Sequence, residues 1–213
     1  MDGSLLLLPW FMGVLYSSIP LFWFAIHPLA APWQRMQRSP YLILLPLWAI
    51  VIGALAAATW PWHAAQIYSS WWALAPAAIF FALGLRTYLT IRSEFGLRKL
   101  SGEAELRPQE HEQKLVITGP HARMRHPIYV AHICVMFALA VASGLLVNFL
   151  LLALALLFTF PLMIWMEEQE LEKRFGQAYK TYKKTVPLIP KFITSNPRRS
   201  ASLNSHTSNE GRP

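Results

Sequence analysis

Two clusters of polar residues carry groups able to hold charge or move protons, and between Arg125 of the first and Glu167 of the second lie 41 residues without formal charge. The first cluster is Gly119-Pro120-His121-Ala122-Arg123-Met124-Arg125-His126-Pro127-Ile128-Tyr129. The second is Glu167-Glu168-Gln169-Glu170-Leu171, followed by Phe175-Gly176, Tyr179, Tyr182, Val186-Pro187 and Pro190. An imidazole with guanidinium neighbours on one side, and adjacent carboxylates on the other, could bind a charged ligand. As helix, 41 residues cover about 60 Å, which is two crossings of a roughly 30 Å hydrocarbon core. A helical hairpin therefore returns the chain to the side it left, and the two clusters meet at one membrane face.

Each element of the clusters also has a plainer reading. His126-Pro127 suits a helix start, because Pro at the first position has no N–H to lose. Arg123 and Arg125 can snorkel to phosphates, and Tyr129 can be an interfacial aromatic. Glu167 and Glu168 sit at a membrane edge, where carboxylates tend to be paired or functional. Neighbours on a helix point about 100° apart, so only one of them is expected to face the hairpin. A carboxylate at a helix C-terminal end needs a cation, which Arg123, Arg125 or a ligand could supply. His132 and the single cysteine, Cys134, are expected in the core, since one His and one Cys are too few for a metal site. No metal is expected, and no phosphate loop, dinucleotide fingerprint or serine-nucleophile motif is present.

The elements that must position these groups are membrane helices. The chain is 54% hydrophobic and 14% charged, against about 25% charge in a soluble domain. The apolar residues come in blocks rather than stripes. We read an all-α, polytopic membrane protein with five spans: 4–26, 40–60, 71–91, 128–147 and 148–166. Every Lys and Arg falls in three segments, Arg35 and Arg38, Arg86 to Arg125, and Lys173 to Arg212. Alternation after five spans puts these on one side, expected to be cytoplasmic, with the N-terminus outside. That placement explains the net charge of +8 by lipid headgroups rather than nucleic acid. The start lacks the basic region of a signal peptide. Residues 93–118 form a connector, residues 167–185 an amphipathic surface helix with Leu171, Phe175, Tyr179 and Tyr182 on its apolar face, and the tail from Thr194 is expected to be disordered. Pro161 could open the helix before Glu167 and expose backbone to a ligand.

The two motifs, in this order and with this spacing, resemble the isoprenylcysteine carboxyl methyltransferase family of integral membrane methyltransferases. The wider group includes phospholipid N-methyltransferases and small-thiol methyltransferases. The resemblance covers about residues 113–190. It implies a methyl-transfer enzyme that binds S-adenosylmethionine at the cytoplasmic ends of spans four and five and releases S-adenosylhomocysteine. Carried over by position, His126, Pro127, Ile128 and Tyr129 line the cofactor, with Glu167 at its charged aminoacyl end and Glu168 also among the cofactor-binding residues. Gln113, Lys114, Leu115, Val116 and His121 cover the adenosine side, and Arg125 and Glu167 are the expected catalytic residues. The acceptor is an isoprenoid or prenylcysteine carboxylate, a lipid amine or a small thiol. Residues 1–92 would be three accessory spans, and residues 93–193 the cofactor-binding core. Three positions depart from the pattern: His121-Ala122 replaces Tyr-Arg, Ala131 replaces Gly, and Met163 stands where prenylcysteine enzymes have an arginine for the substrate carboxylate. Two alternatives stay open: an NADPH-dependent reductase, since sterol reductases are similar here, and a non-catalytic lipid-binding protein.

Overall fold

The computed structural model describes residues 3–26, 28–36, 39–100, 106 and 114–189. Gln113, Pro190 and the tail expected to be disordered lie outside the described residues. Among those described there is no strand, only an isolated bridge between Gln66 and Leu145, as an all-α reading requires. The elements are α1 (Gly3–Ile26), short α2 (Ala30–Gln34), α3 (Tyr41–Thr59), α4 (Leu74–Leu100), α5 (Pro127–Ser143), α6 (Leu146–Leu154), α7 (Phe160–Phe175) and α8 (Gln177–Thr185).

Four helical stretches are long and apolar enough to cross a membrane: Leu5–Ile26, Tyr41–Trp62, Trp71–Arg92 and Leu146–Phe175. The fifth, Pro127–Ser143, is shorter. α1 packs against α3, α5, α6 and α7, and α4 lies along α5. Leu6, Trp10 and Val14 of α1 bury against Leu145, Val147 and Leu151. Met136 and Ala140 of α5 meet Leu152, Ala155 and Phe160 of the returning helical arm of the hairpin. Most of α3 faces outward with exposed Leu42, Ile43, Leu45, Leu47 and Ile50, which is tolerable only where the solvent is lipid.

Polar atoms inside the spans are matched helix to helix. Pro20 lacks the N–H that would bond the Tyr16 carbonyl four residues earlier. His132 Nε2 donates to that carbonyl at 2.6 Å, and its Nδ1 then accepts from the Tyr88 hydroxyl at 2.9 Å. The core role expected for His132 is thus to tie α1, α4 and α5 together. Pro161 follows a π-helical turn at Ala155–Thr159, the local rearrangement that a missing N–H invites.

Three boundaries differ from the sequence reading. The hairpin turns at Gly144 rather than between 147 and 148. Gly144 has φ 62°, and a Cβ there would strike the Tyr68 carbonyl. Span three ends close to 91, as Trp71–Arg92, but its helix does not: α4 continues to Leu100, into the stretch read as connector. Residues 167–185 are not one helix: α7 runs straight out of span five to Phe175 and breaks at Gly176 before α8.

Candidate active site

His126 sits at the N-terminal edge of α5, immediately before Pro127. Its ring is 5% exposed. Nδ1 lies 3.2 Å from Glu167 Oε2, and Nε2 lies 3.2 Å from Glu168 Oε1. A neutral imidazole has one N–H and would turn a lone pair toward the other carboxylate, so this geometry favours the imidazolium. Burial opposes the charge, but Glu167 and Glu168 outweigh it and push the His126 pKa up to about 9. One helical turn on, the Tyr129 ring stacks on His126 with 5.4 Å between centroids and 8° between planes. Phe160 continues this aromatic wall, 5.7 Å from Tyr129.

Glu168 is the most engaged member. Its Oε1 accepts from Arg125 Nε at 2.8 Å as well as from His126, and its Oε2 pairs with Lys183 Nζ at 2.8 Å. Lys183 also bonds Glu172 at 2.8 Å, and both carboxylates raise its pKa. Arg125 Nη1 donates to the carbonyls of Lys183 and Val186, and its backbone N–H donates to Pro187 at 3.0 Å. The Tyr182 hydroxyl donates to the His121 carbonyl at 2.7 Å. These contacts fold α8 back over the cluster. The fold-back is possible because Gly176 takes φ 55° and ψ −127°, a conformation that a side chain resists. His121 lies on the 3₁₀ turn Gly119–Ala122. Burial pulls its pKa down to about 4 despite Glu167 nearby, so it is neutral at pH 7.

Three cations (Arg125, His126, Lys183) thus interleave with three carboxylates (Glu167, Glu168, Glu172) against an aromatic wall. Such a lattice is nearly neutral, yet it offers a carboxylate to an incoming cation. The Glu168 side chain is 9% exposed and that of Glu167 26%, so Glu167 is the reachable one.

The structure brings together Arg125, His126, Tyr129, Glu167 and Glu168 from the sequence-derived set. Pro127 is buried beside His126, and Ile128 is half-buried on the first turn of α5. Lys114 is exposed, and Leu115 and Val116 half-buried, on the irregular segment leading to the 3₁₀ turn. The expectation that only one glutamate turns toward the hairpin is corrected: both reach the same imidazole, one to each nitrogen. Their long side chains close the angle between neighbouring helix positions. Sequence reasoning missed Lys183. The only available signal was the run of basic residues in α8, which looks like an ordinary solvated face. Met163, at the position of the absent arginine, is fully buried.

Fold and site define an integral membrane protein whose ion-paired centre lies at the open end of a transmembrane hairpin. Residues 72–178 match the family model described as phospholipid methyltransferase, and the chain belongs to that family. The matched region runs from the start of span three to the second residue of α8 and includes Arg125, His126, Glu167 and Glu168. Membership supports methyl transfer at a membrane as the activity. No curated protein and no solved structure matches the chain.

Proposed function

We propose that this protein transfers a methyl group from S-adenosylmethionine to the amine of a membrane lipid, at the face where α5 and α7 end. The observation that carries this reading is the His126 imidazolium clasped by Glu167 and Glu168 at the bilayer edge. S-adenosylmethionine supplies, when bound, a methyl group activated on a positively charged sulfur. The residues present fit such a group. Its cationic centres favour a carboxylate with aromatic neighbours; Glu167 supplies the carboxylate, and the His126 ring it meets stacks on Tyr129. Glu167 binds the ammonium. Arg125 and Lys183 act by fixing Glu168, which in turn holds the His126 ring in place. His126 and Tyr129 form a flat wall, and α8 keeps water from the reacting centre. We assign this core to residues 93–193, with the basic face cytoplasmic and the N-terminus outside, as the distribution of Lys and Arg supports.

The acceptor assignment rests on Met163. A carboxylate acceptor needs a cation, and this position supplies a buried thioether instead. A lipid amine needs no such cation and only has to arrive uncharged. The test is calorimetric titration of S-adenosylmethionine into detergent-purified protein, followed by transfer of labelled methyl to phosphatidylethanolamine vesicles. Saturable binding that Glu167→Gln weakens about tenfold, or about 1.4 kcal/mol, is the expected result. A folded wild-type protein that binds no S-adenosylmethionine sinks the reading, and NADPH binding in its place points to a reductase. Binding without lipid methylation removes the lipid amine and returns the carboxylate or thiol.

A further inference from the structure

Tyr179 is 1% exposed, yet its hydroxyl has no hydrogen-bond partner among the described residues. Buried phenols ordinarily find one. Three residues on, Tyr182 does so by donating to the His121 carbonyl, and the two rings lie 5.9 Å apart. Tyr179 therefore differs from its neighbour in satisfaction, not in surroundings. Its hydroxyl feels the charges of Glu168, Glu167 and Arg125. Burial and the two carboxylates raise its pKa, so at neutral pH it keeps its proton and remains a donor. The helix that carries it is held on both sides of the cluster: Lys183 pairs with Glu168 and Glu172, and Arg125 bonds the Lys183 and Val186 carbonyls. The phenol is thus fixed in place. Tyr179 lies one residue beyond the segment matched to the family model.

We propose that the Tyr179 hydroxyl is a ligand-binding donor whose partner is the carboxylate at the amino-acid end of S-adenosylmethionine. The inference rests on the cofactor reading above. In that end of the molecule, ammonium and carboxylate share one carbon. If the ammonium goes to Glu167, the carboxylate is carried in beside it and would be repelled by Glu168 unless a donor met it. Arg125, His126 and Lys183 each pair with Glu168, a partner they keep when Glu167 turns to the ammonium. The Tyr179 O–H is a donor held there with no partner among the described residues.

The experiment is calorimetric titration of S-adenosylmethionine and of its decarboxylated analogue into full-length, detergent-purified wild type and Tyr179→Phe, with thermal melts of both proteins. Phenylalanine preserves the ring packing, so the variant is expected to melt no lower than wild type. It is expected to bind S-adenosylmethionine at least tenfold more weakly and the decarboxylated analogue with wild-type affinity. Equal affinity of the two proteins for S-adenosylmethionine overturns the inference. An equal loss for both compounds overturns the carboxylate as partner. Failure of wild type to bind either compound is a different outcome: it removes the cofactor reading, and this inference falls with it.

Discussion

At the Gly144 end of the hairpin the chain is closed by neutral groups. Ile67 N–H donates to the Gly144 carbonyl and Leu146 N–H to the Ala65 carbonyl, both at 2.8 Å. Gln66 donates to the Ser143 carbonyl at 2.8 Å and the Tyr68 hydroxyl to Val141 at 2.7 Å. At the opposite end, α5 and α7 are joined by Arg125, His126, Glu167, Glu168 and Lys183, and each polar contact among them involves charge. Backbone hydrogen bonds set one geometry and have nothing to exchange with a charged solute. Ion pairs can exchange partners with a ligand of matching charge. The first end fixes the fold, and the second is built so that a ligand's charges can compete for its partners.

The comparison is broken most severely at Glu168. Glu168→Gln leaves Arg125, His126 and Lys183 converging on a neutral amide, and we expect a loss of about 3 kcal/mol, the lower range for a broken buried pair. Thermal unfolding in detergent checks this, and a change within error of zero would show that the cluster is solvated after all. At the neutral end, Gly144→Ala forces a side chain into the left-handed region and against the Tyr68 carbonyl. About 2 kcal/mol is expected, and the loss should be the same at pH 6 and pH 9.

Acidity separates the two ends more finely. The folded pKa of His126, about 9, lies above its unfolded value of about 6.5. Its stabilisation is therefore fully present below pH 6.5 and lost as pH rises through 9. Melting temperatures of wild type should fall across that window, while His126→Gln should lack this component; parallel curves would refute the clasped imidazolium. The smallest effect is expected at Lys183, whose side chain is 34% exposed. Lys183→Met should cost at most about 1 kcal/mol, and a larger loss in the melt would make α8 a structural necessity rather than a cover.

The membrane hairpin is legible in sequence because 41 charge-free residues match two bilayer crossings and little else. The meeting of Arg125 and His126 with the Glu pair follows from that length alone. The turn is not legible: apolar residues run on both sides of Gly144, so hydropathy marks no boundary, and only the backbone angle does. The break at Gly176 is obscured in a similar way, because Leu171, Phe175, Tyr179 and Tyr182 keep helical spacing across it. Lys183 meets Glu168 through a chain reversal that no local pattern encodes. The double grip on His126 was hidden by treating side-chain direction as though it were fixed by the Cα position.

The paired spans of the hairpin are unequal. α5 has 17 residues, about 26 Å, whereas Leu146–Phe175 has 30, about 45 Å. Exposed Trp60, Trp62, Trp71 and Trp72 are suited to hold the Gly144 end at headgroup level. From there the short arm stops a few ångströms below the far surface of a roughly 30 Å core, while the long arm rises well above it. Hydrophobic mismatch of this kind is relieved by thinning the bilayer locally. A bilayer thinned there would bring headgroups toward His126, so acyl-chain length becomes a variable that acts on the ion-paired cluster without touching it.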